Sequence, residues 1–203
     1  MVSNISEEIT NIAIAQFMQL GIRSVSMSEI SSMLGISKKT LYQHFQNKEE
    51  LVDRCVSEFL LREEKLMRHL QETSIDAIDE MKNIAHHIIS HFRMMKPIFI
   101  NDLQKYYKSV WTKIMKMQSG FIKDQMRANL ERGKQEGYYR MNLNSNVISD
   151  LYVQKAWYIS NNPEHPELKN MEEFFEQHLL YHLYGILSKK GVKQMENLKL
   201  FDE

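Results

Sequence analysis

Residues suited to contacting DNA are concentrated between positions 38 and 48. Two adjacent lysines come first, and hydroxyl, phenol and imidazole side chains follow before another lysine. Tyrosine, histidine and lysine side chains bond to phosphate oxygens, and threonine can meet a base edge or a thymine methyl group. The candidate DNA contacts are, in chain order, Ser28, Lys38, Lys39, Thr40, Tyr42, Gln43, His44 and Lys48.

Helix start and stop signals predict how this stretch folds. Ser26 followed three residues later by Glu29 is a capping box, which predicts a helix beginning at about residue 27. Gly35 supplies the positive φ with which helices commonly end, and Ser37 is suited to cap a second helix. A further capping pattern at Asn47 predicts a third helix from residue 48.

Helical spacing separates an inward face from an outward one. Ile30, Leu34, Leu41 and Phe45 fall at positions expected to point inward, which leaves the polar side chains of the second helix outside. Two helices joined by a tight glycine-containing turn fit a DNA major groove. Residues 23–48 hold four basic residues and one acidic residue, so the excess positive charge is local. The alternative is that the adjacent lysines are an ordinary solvated surface.

The segment from about residue 5 to residue 55 resembles the DNA-binding domain of the TetR family of bacterial transcriptional regulators. The matching residues are Phe17, Leu20, Gly21, Ser26, Ile30, Leu34, Gly35, Ile36, Ser37, Thr40, Leu41, Tyr42, His44, Phe45, Asn47, Lys48, Glu49, Glu50 and Leu51. The resemblance implies that residues 38–44 form the recognition helix, and that Tyr42, His44 and Lys48 contact phosphates. Lys39 departs from the many relatives with a small residue there, and its long cation can add a base or phosphate contact.

Composition limits the remaining function classes. The 203 residues include 26 basic and 26 acidic side chains, which argues against indiscriminate binding of polyanions. The single cysteine, Cys55, excludes an intramolecular disulfide and is expected to be a small buried side chain. No run approaches the roughly 18 apolar residues of a membrane span, and no leader pattern opens the chain, so we expect a cytoplasmic protein without membrane contact.

The chain is predicted to be all-α, because three prolines and seven glycines leave long intervals without a helix breaker. Apolar periodicity predicts about nine helices, over about residues 9–20, 27–34, 38–45, 48–70, 78–95, 98–108, 110–132, 144–160 and 171–187. Gly133 and Gly137 are read as stop signals. We divide the chain into a DNA-binding domain, residues 1–50, and a C-terminal domain, residues 51–203. The family resemblance implies that the second domain binds a small-molecule effector and forms a homodimer, for which the last two predicted helices are the candidates.

Aromatic and methionine side chains provide candidates for an adaptable apolar effector pocket. They are Phe92, Met95, Phe99, Tyr106, Trp111, Met115, Phe121 and Trp157. An ordinary hydrophobic core is the commoner explanation of such a stripe and remains open.

Histidine spacing and the all-helical pattern leave three other function classes to compare. His87 and His91, and likewise His178 and His182, have the i, i+4 spacing of zinc ligands, but neither pair has the carboxylate of a zinc protease motif. Neither catalytic residues nor a cofactor are expected, although an all-helical enzyme and a scaffold protein remain alternatives. The preferred hypothesis is a repressor that binds a palindromic operator as a dimer and that a small apolar or amphipathic effector releases.

Overall fold

The structure, a computed structural model, describes residues 5–161 and 171–198. Its described α-helices are α1 (Ile5–Leu20), α2 (Met27–Met33), α3 (Lys38–His44), α4 (Lys48–Thr73), α5 (Ala77–Met94), α6 (Pro97–Tyr106), α7 (Lys108–Met117), α8 (Lys123–Gln135), α9 (Ser145–Asn161), α10 (Met171–Ile186) and α11 (Lys189–Leu198). A π-helical turn, Gln118–Ile122, joins α7 to α8, so the described segments contain ten separate helical rods. The all-α prediction is confirmed, with one rod more than expected.

The predicted signals that begin and end α2 are present. The Ser26 hydroxyl accepts the Glu29 N–H at 3.2 Å, and the Glu29 carboxylate accepts the Ser26 N–H at 2.6 Å. These reciprocal hydrogen bonds lower the pKa of Glu29. At the other end Gly35 adopts a φ of 65°, and the Ile36 N–H reaches back 3.0 Å to the carbonyl of Ser31. This left-handed glycine turn is what redirects the chain into α3.

Side-chain caps also fix the starts of α3 and α4. The Ser37 hydroxyl accepts the Thr40 N–H at 3.0 Å, and the Asn47 side chain accepts the Glu50 N–H at 2.9 Å. The Glu50 carboxylate accepts the N–H of Gln46 at 2.8 Å, one residue earlier than in a standard capping box. Both starts lie where the sequence predicts them.

The chain divides into two compact units. The first comprises the residues up to 63 together with residues 94–115, so α6 packs with the N-terminal helices. Its core includes the three predicted inward residues Ile30, Leu41 and Phe45, whereas Leu34 is only half-buried against it. The other buried members are Ile9, Ala13, Ile14, Phe17, Ile22, Val25, Met27, Leu51, Val52, Cys55, Val56, Phe99, Leu103 and Val110.

Cys55 is buried as expected, and its thiol donates to the carbonyl of Thr10 at 3.5 Å. Burial raises the pKa of this thiol, which keeps it protonated and unreactive.

The second unit, residues 64–93 and 116 onward, is organised around Tyr139. The ring is buried, and its hydroxyl lies 3.0 Å from both the Ala77 carbonyl and the Asn129 side-chain oxygen. Gly133 was predicted to end a helix, which is wrong because it lies inside α8. A Cβ there would stand 2.1 Å from the Tyr139 ring, so this glycine serves packing, and Gly137, with a φ of 76°, follows the end of α8.

The sequence did not predict α11, since the last predicted helix ends at about residue 187. Ser188 instead caps a new helix by accepting the Gly191 N–H at 3.1 Å. A Cβ on Gly191 would lie 2.1 Å from the Tyr138 carbonyl oxygen, so close backbone approach explains this glycine. In the part of the chain that the structure covers, no helix is long and apolar enough to cross a membrane.

Candidate nucleic-acid interface

The outward face of α3 carries the predicted polar side chains. Lys38, Lys39, Gln43 and His44 are exposed, and Tyr42 keeps 49% of its surface accessible. Leu41 between them is fully buried and fixes the orientation of the helix. Within the described residues neither lysine pairs with a carboxylate. The face therefore offers cations and hydrogen-bond donors that no part of the described structure occupies.

Thr40 and Ser28 are less available than the rest of the predicted set. Both are half-buried. The Thr40 hydroxyl lies 2.9 Å from the Ser37 hydroxyl, which leaves only part of its bonding capacity for a base. The Ser28 carbonyl accepts the hydroxyls of Ser31 and Ser32, each at 2.9 Å, so α2 is internally bonded beside its exposed edge.

Lys48 lies at the start of α4 among charged neighbours. Burial lowers the pKa of its ammonium group, whereas the charges of Asp102 and Glu29 raise it and that of Arg23 lowers it. Lys48 is thus a half-buried cation whose charged form is favoured by two nearby carboxylates.

Helix α6 contributes Asp102, a carboxylate that acts on both Lys48 and Arg23. Asp102 is almost completely buried, and its carboxylate accepts the Arg23 N–H at 2.9 Å. Gly21 has a φ of 83°, and a Cβ there would lie 2.9 Å from Ile98, so α6 packs directly on the turn after α1. Sequence reasoning missed Asp102, for which the only available signal was an acidic residue within an apolar helix.

Residues 9–55, the segment just described, match the family model for "Bacterial regulatory proteins, tetR family". Relatives over the greater length of the chain are transcriptional regulators as well. The N-terminal segment of this chain is therefore similar to the DNA-binding domain of the TetR family.

Among the relatives of this chain is the HTH-type regulator YvaF of Bacillus subtilis, 25% identical over 70% of this chain and 74% of the relative. The transcriptional repressor KstR2 of Mycobacterium tuberculosis is 23% identical over 91% of this chain and 94% of its own length. A TetR regulator structure from Legionella pneumophila superposes with a TM-score of 0.71 at 18% identity, covering 91% of this chain and 98% of the other. That likeness supports the fold.

The predicted effector residues are distributed over the two units of the chain. In the first unit Phe99 is buried in the core, Met95 and Trp111 pack against that core, and Tyr106 is 53% exposed with Arg23 stacked 4.5 Å above its ring. Met115 is half-buried. In the second unit the guanidinium of Arg68 lies 4.8 Å from the Phe121 ring centre. The side chains of Phe92 and Trp157 lie outside the described residues.

The second unit contains an apolar crevice that the sequence did not predict. It lies between α5, α9 and α10, and its lining residues are Met81, Ile84, Ala85, Ile88, Tyr152, His178 and Leu179. None of the six predicted effector residues with described side chains lines it. The histidine pair on α10 was the available signal, although we weighed it only as a metal site. Within residues 5–161 and 171–198, no three side chains of metal-ligand type come together.

At one end of this crevice two lining residues, Tyr152 and His178, meet Lys155 and His182, which do not line it themselves. The ring centres of Tyr152 and His182 are 5.3 Å apart, those of Tyr152 and His178 are 5.8 Å apart, and the Lys155 ammonium contacts the His178 ring nitrogen. Burial, with a further contribution from the charge of Lys155, lowers the pKa of His178 to about 3 and that of His182 to about 4. Burial also raises the pKa of Tyr152 to about 12. Both histidines are therefore neutral near pH 7.

Proposed function

We propose that this protein is a TetR-family regulator of transcription, which binds operator DNA through α3 and releases it when a small molecule binds the second unit. The main support is that α3 is capped at its start, fixed by Leu41 on its inner side, and exposed along the side that carries Lys38 and Lys39. A short helix held in this way can present its side chains to a major groove without first having to fold.

The proposed active form is a homodimer assembled through α9 and α10. Four large side chains on these helices are exposed, with Leu151 at 56%, Tyr158 at 46%, Tyr181 at 79% and Tyr184 at 57% of their surface. Exposed apolar and aromatic surface of this extent favours contact with another protein surface. A twofold axis would place two copies of α3 in successive major grooves about 34–36 Å apart, which requires a palindromic operator.

Repression is the proposed direction of control. It is supported by the relative KstR2, whose name describes it as a transcriptional repressor. An effector that binds the released conformation more tightly must weaken DNA binding by the same factor by which DNA weakens effector binding.

An electrophoretic mobility shift assay with DNA flanking the protein's own gene tests this proposal. The wild-type protein should retard that DNA selectively against random competitor, and the Lys38→Ala/Lys39→Ala variant should lose the retardation. The matched control, Lys189→Ala/Lys193→Ala, removes two exposed lysines of α11 and should behave as wild type. Absence of selective retardation at low salt, or equal behaviour of the two double variants, would contradict the proposal.

A further inference from the structure

The crevice between α5, α9 and α10 has an apolar part and a polar end. The apolar part is lined by side chains of two helices, Met81, Ile84 and Ile88 of α5 and Leu179 of α10. Its polar end consists of Tyr152 and His178, which line the crevice, with Lys155 of α9 and His182 of α10 beside them, all within the second unit. Such a combination suits a ligand with one apolar part and one polar group.

The polar end has a positive charge without a matching negative one. Lys155 is half-buried, and among the described side chains no carboxylate forms an ion pair with it. Its contacts are instead the His178 ring nitrogen and the face of Phe174, whose centre lies 5.3 Å from the ammonium nitrogen. Removing an ammonium group from water without an anion is unfavourable, so this position favours an anion supplied from outside.

His182 provides a second, independent indication. Its Nε2 atom is buried and has no hydrogen-bond partner, although buried polar atoms are nearly always paired. Tyr152 lies edge-on to this ring and leaves the nitrogen unpaired. A neutral imidazole that carries its proton on this atom would donate a hydrogen bond to an anion held by the neighbouring ammonium group.

We propose that this crevice binds an amphipathic carboxylate, whose chain lies against Met81, Ile88 and Leu179 and whose two oxygens accept hydrogen bonds from Lys155 and His182. The inference rests on the proposed function, since such a molecule would be the effector. A carboxylate satisfies both polar groups at once, because it accepts on two oxygens and carries one negative charge.

Isothermal titration calorimetry on the full-length protein without DNA tests the inference. The probes are octanoate, octan-1-ol with the same chain and no charge, and octyl phosphate with a different anionic head. Octanoate should bind about tenfold or more tightly than octan-1-ol, because a charge-assisted hydrogen bond contributes more than a neutral one. Octyl phosphate should bind more weakly than octanoate, and the reverse order would refute the carboxylate.

Two variants separate the polar contacts from the apolar ones. Lys155→Met keeps the length of the side chain, and it should lower octanoate affinity to that of octan-1-ol while leaving the alcohol unchanged. His182→Phe keeps a ring against Tyr152 and should weaken octanoate binding by about fivefold or more, whereas His182→Gln, which retains a donor, should recover part of the loss. Lys193→Met is the charge-matched control on α11 and should bind all three probes as wild type does.

The outcomes distinguish this inference from the proposed function. Equal affinity for octanoate and octan-1-ol, no octanoate binding, or an unaffected Lys155→Met variant would overturn the carboxylate site even where operator retardation persists. Octanoate binding that depends on Lys155, with no DNA retardation by any variant, would support the site and overturn the regulatory proposal. Circular dichroism melting of each variant confirms that lost binding does not reflect unfolding.

Discussion

Replacing Lys39 by glutamine should reduce the salt dependence of operator binding by a calculable amount. The side chain is exposed on α3 and has no ion pair in the described structure, so its removal breaks no salt bridge. We therefore expect the melting temperature to stay close to wild type, with a stability change of at most about 0.5 kcal/mol. The effect on DNA should come from one lost phosphate contact in each protomer.

Each neutralised phosphate contributes about 0.9 to the slope of log K against log salt, so two protomers lose about 1.8. Between about 50 and about 200 mM salt this difference corresponds to roughly tenfold less weakening of binding than in wild type. Fluorescence anisotropy with a labelled operator at four or more salt concentrations measures the slope. Lys193→Gln, which removes an exposed lysine of α11, should leave it unchanged. A Lys39→Gln slope equal to that of wild type would refute the assignment of this side chain to a phosphate contact.

Three further predictions follow from burial and charge. Leu41→Ala should destabilise the first unit by about 2–5 kcal/mol in urea unfolding, because the side chain is fully buried. Tyr42→Ala should leave stability nearly unchanged and weaken DNA binding almost uniformly across sequences. The opposite pattern would mean that the inner and outer faces of α3 are assigned the wrong way round. Tyr181→Glu should convert the dimer to a monomer in multi-angle light scattering, and a dimer that persists would place the interface elsewhere. Burial lowers the pKa values of His178 and His182 to about 3 and 4, so between about pH 6.5 and 4 these two side chains take up protons only in the unfolded chain. The melting temperature should therefore fall from pH 7 to 5, and His178→Phe/His182→Phe should flatten that dependence. An equal slope in both proteins would argue against buried neutral histidines.

The helix-turn-helix segment could be predicted because its determinants are local. Ser26, Gly35 and Ser37 act on backbone groups within a few residues of themselves, so their meaning is contained in the sequence pattern. The outward set on α3 followed from helical spacing alone. Thr40 was the exception, because it is half-buried and its hydroxyl lies 2.9 Å from that of Ser37.

The crevice proposed as the effector site could not be predicted in the same way. A stripe of aromatic and methionine residues indicates that one face of a helix is buried, but it does not indicate which other element packs against that face. Phe99 and Trp111 are covered in the first unit because α6 packs on the turn at Gly21, a contact between residues distant in sequence. The i, i+4 spacing of His178 and His182 was visible, but the chemistry of the pair depends on Lys155, which lies in another helix.

The bond between the Thr40 N–H and the Ser37 hydroxyl has a consequence for how this regulator can be retargeted. Every amino acid except proline brings an N–H to position 40, so the helix start survives almost any exchange of this side chain, which is predicted to meet a base. A library randomised at position 40 should therefore yield folded proteins with altered operator preferences. A library randomised at position 37 should contain many variants that lack the helix cap and do not fold, and these cannot be selected for operator preference.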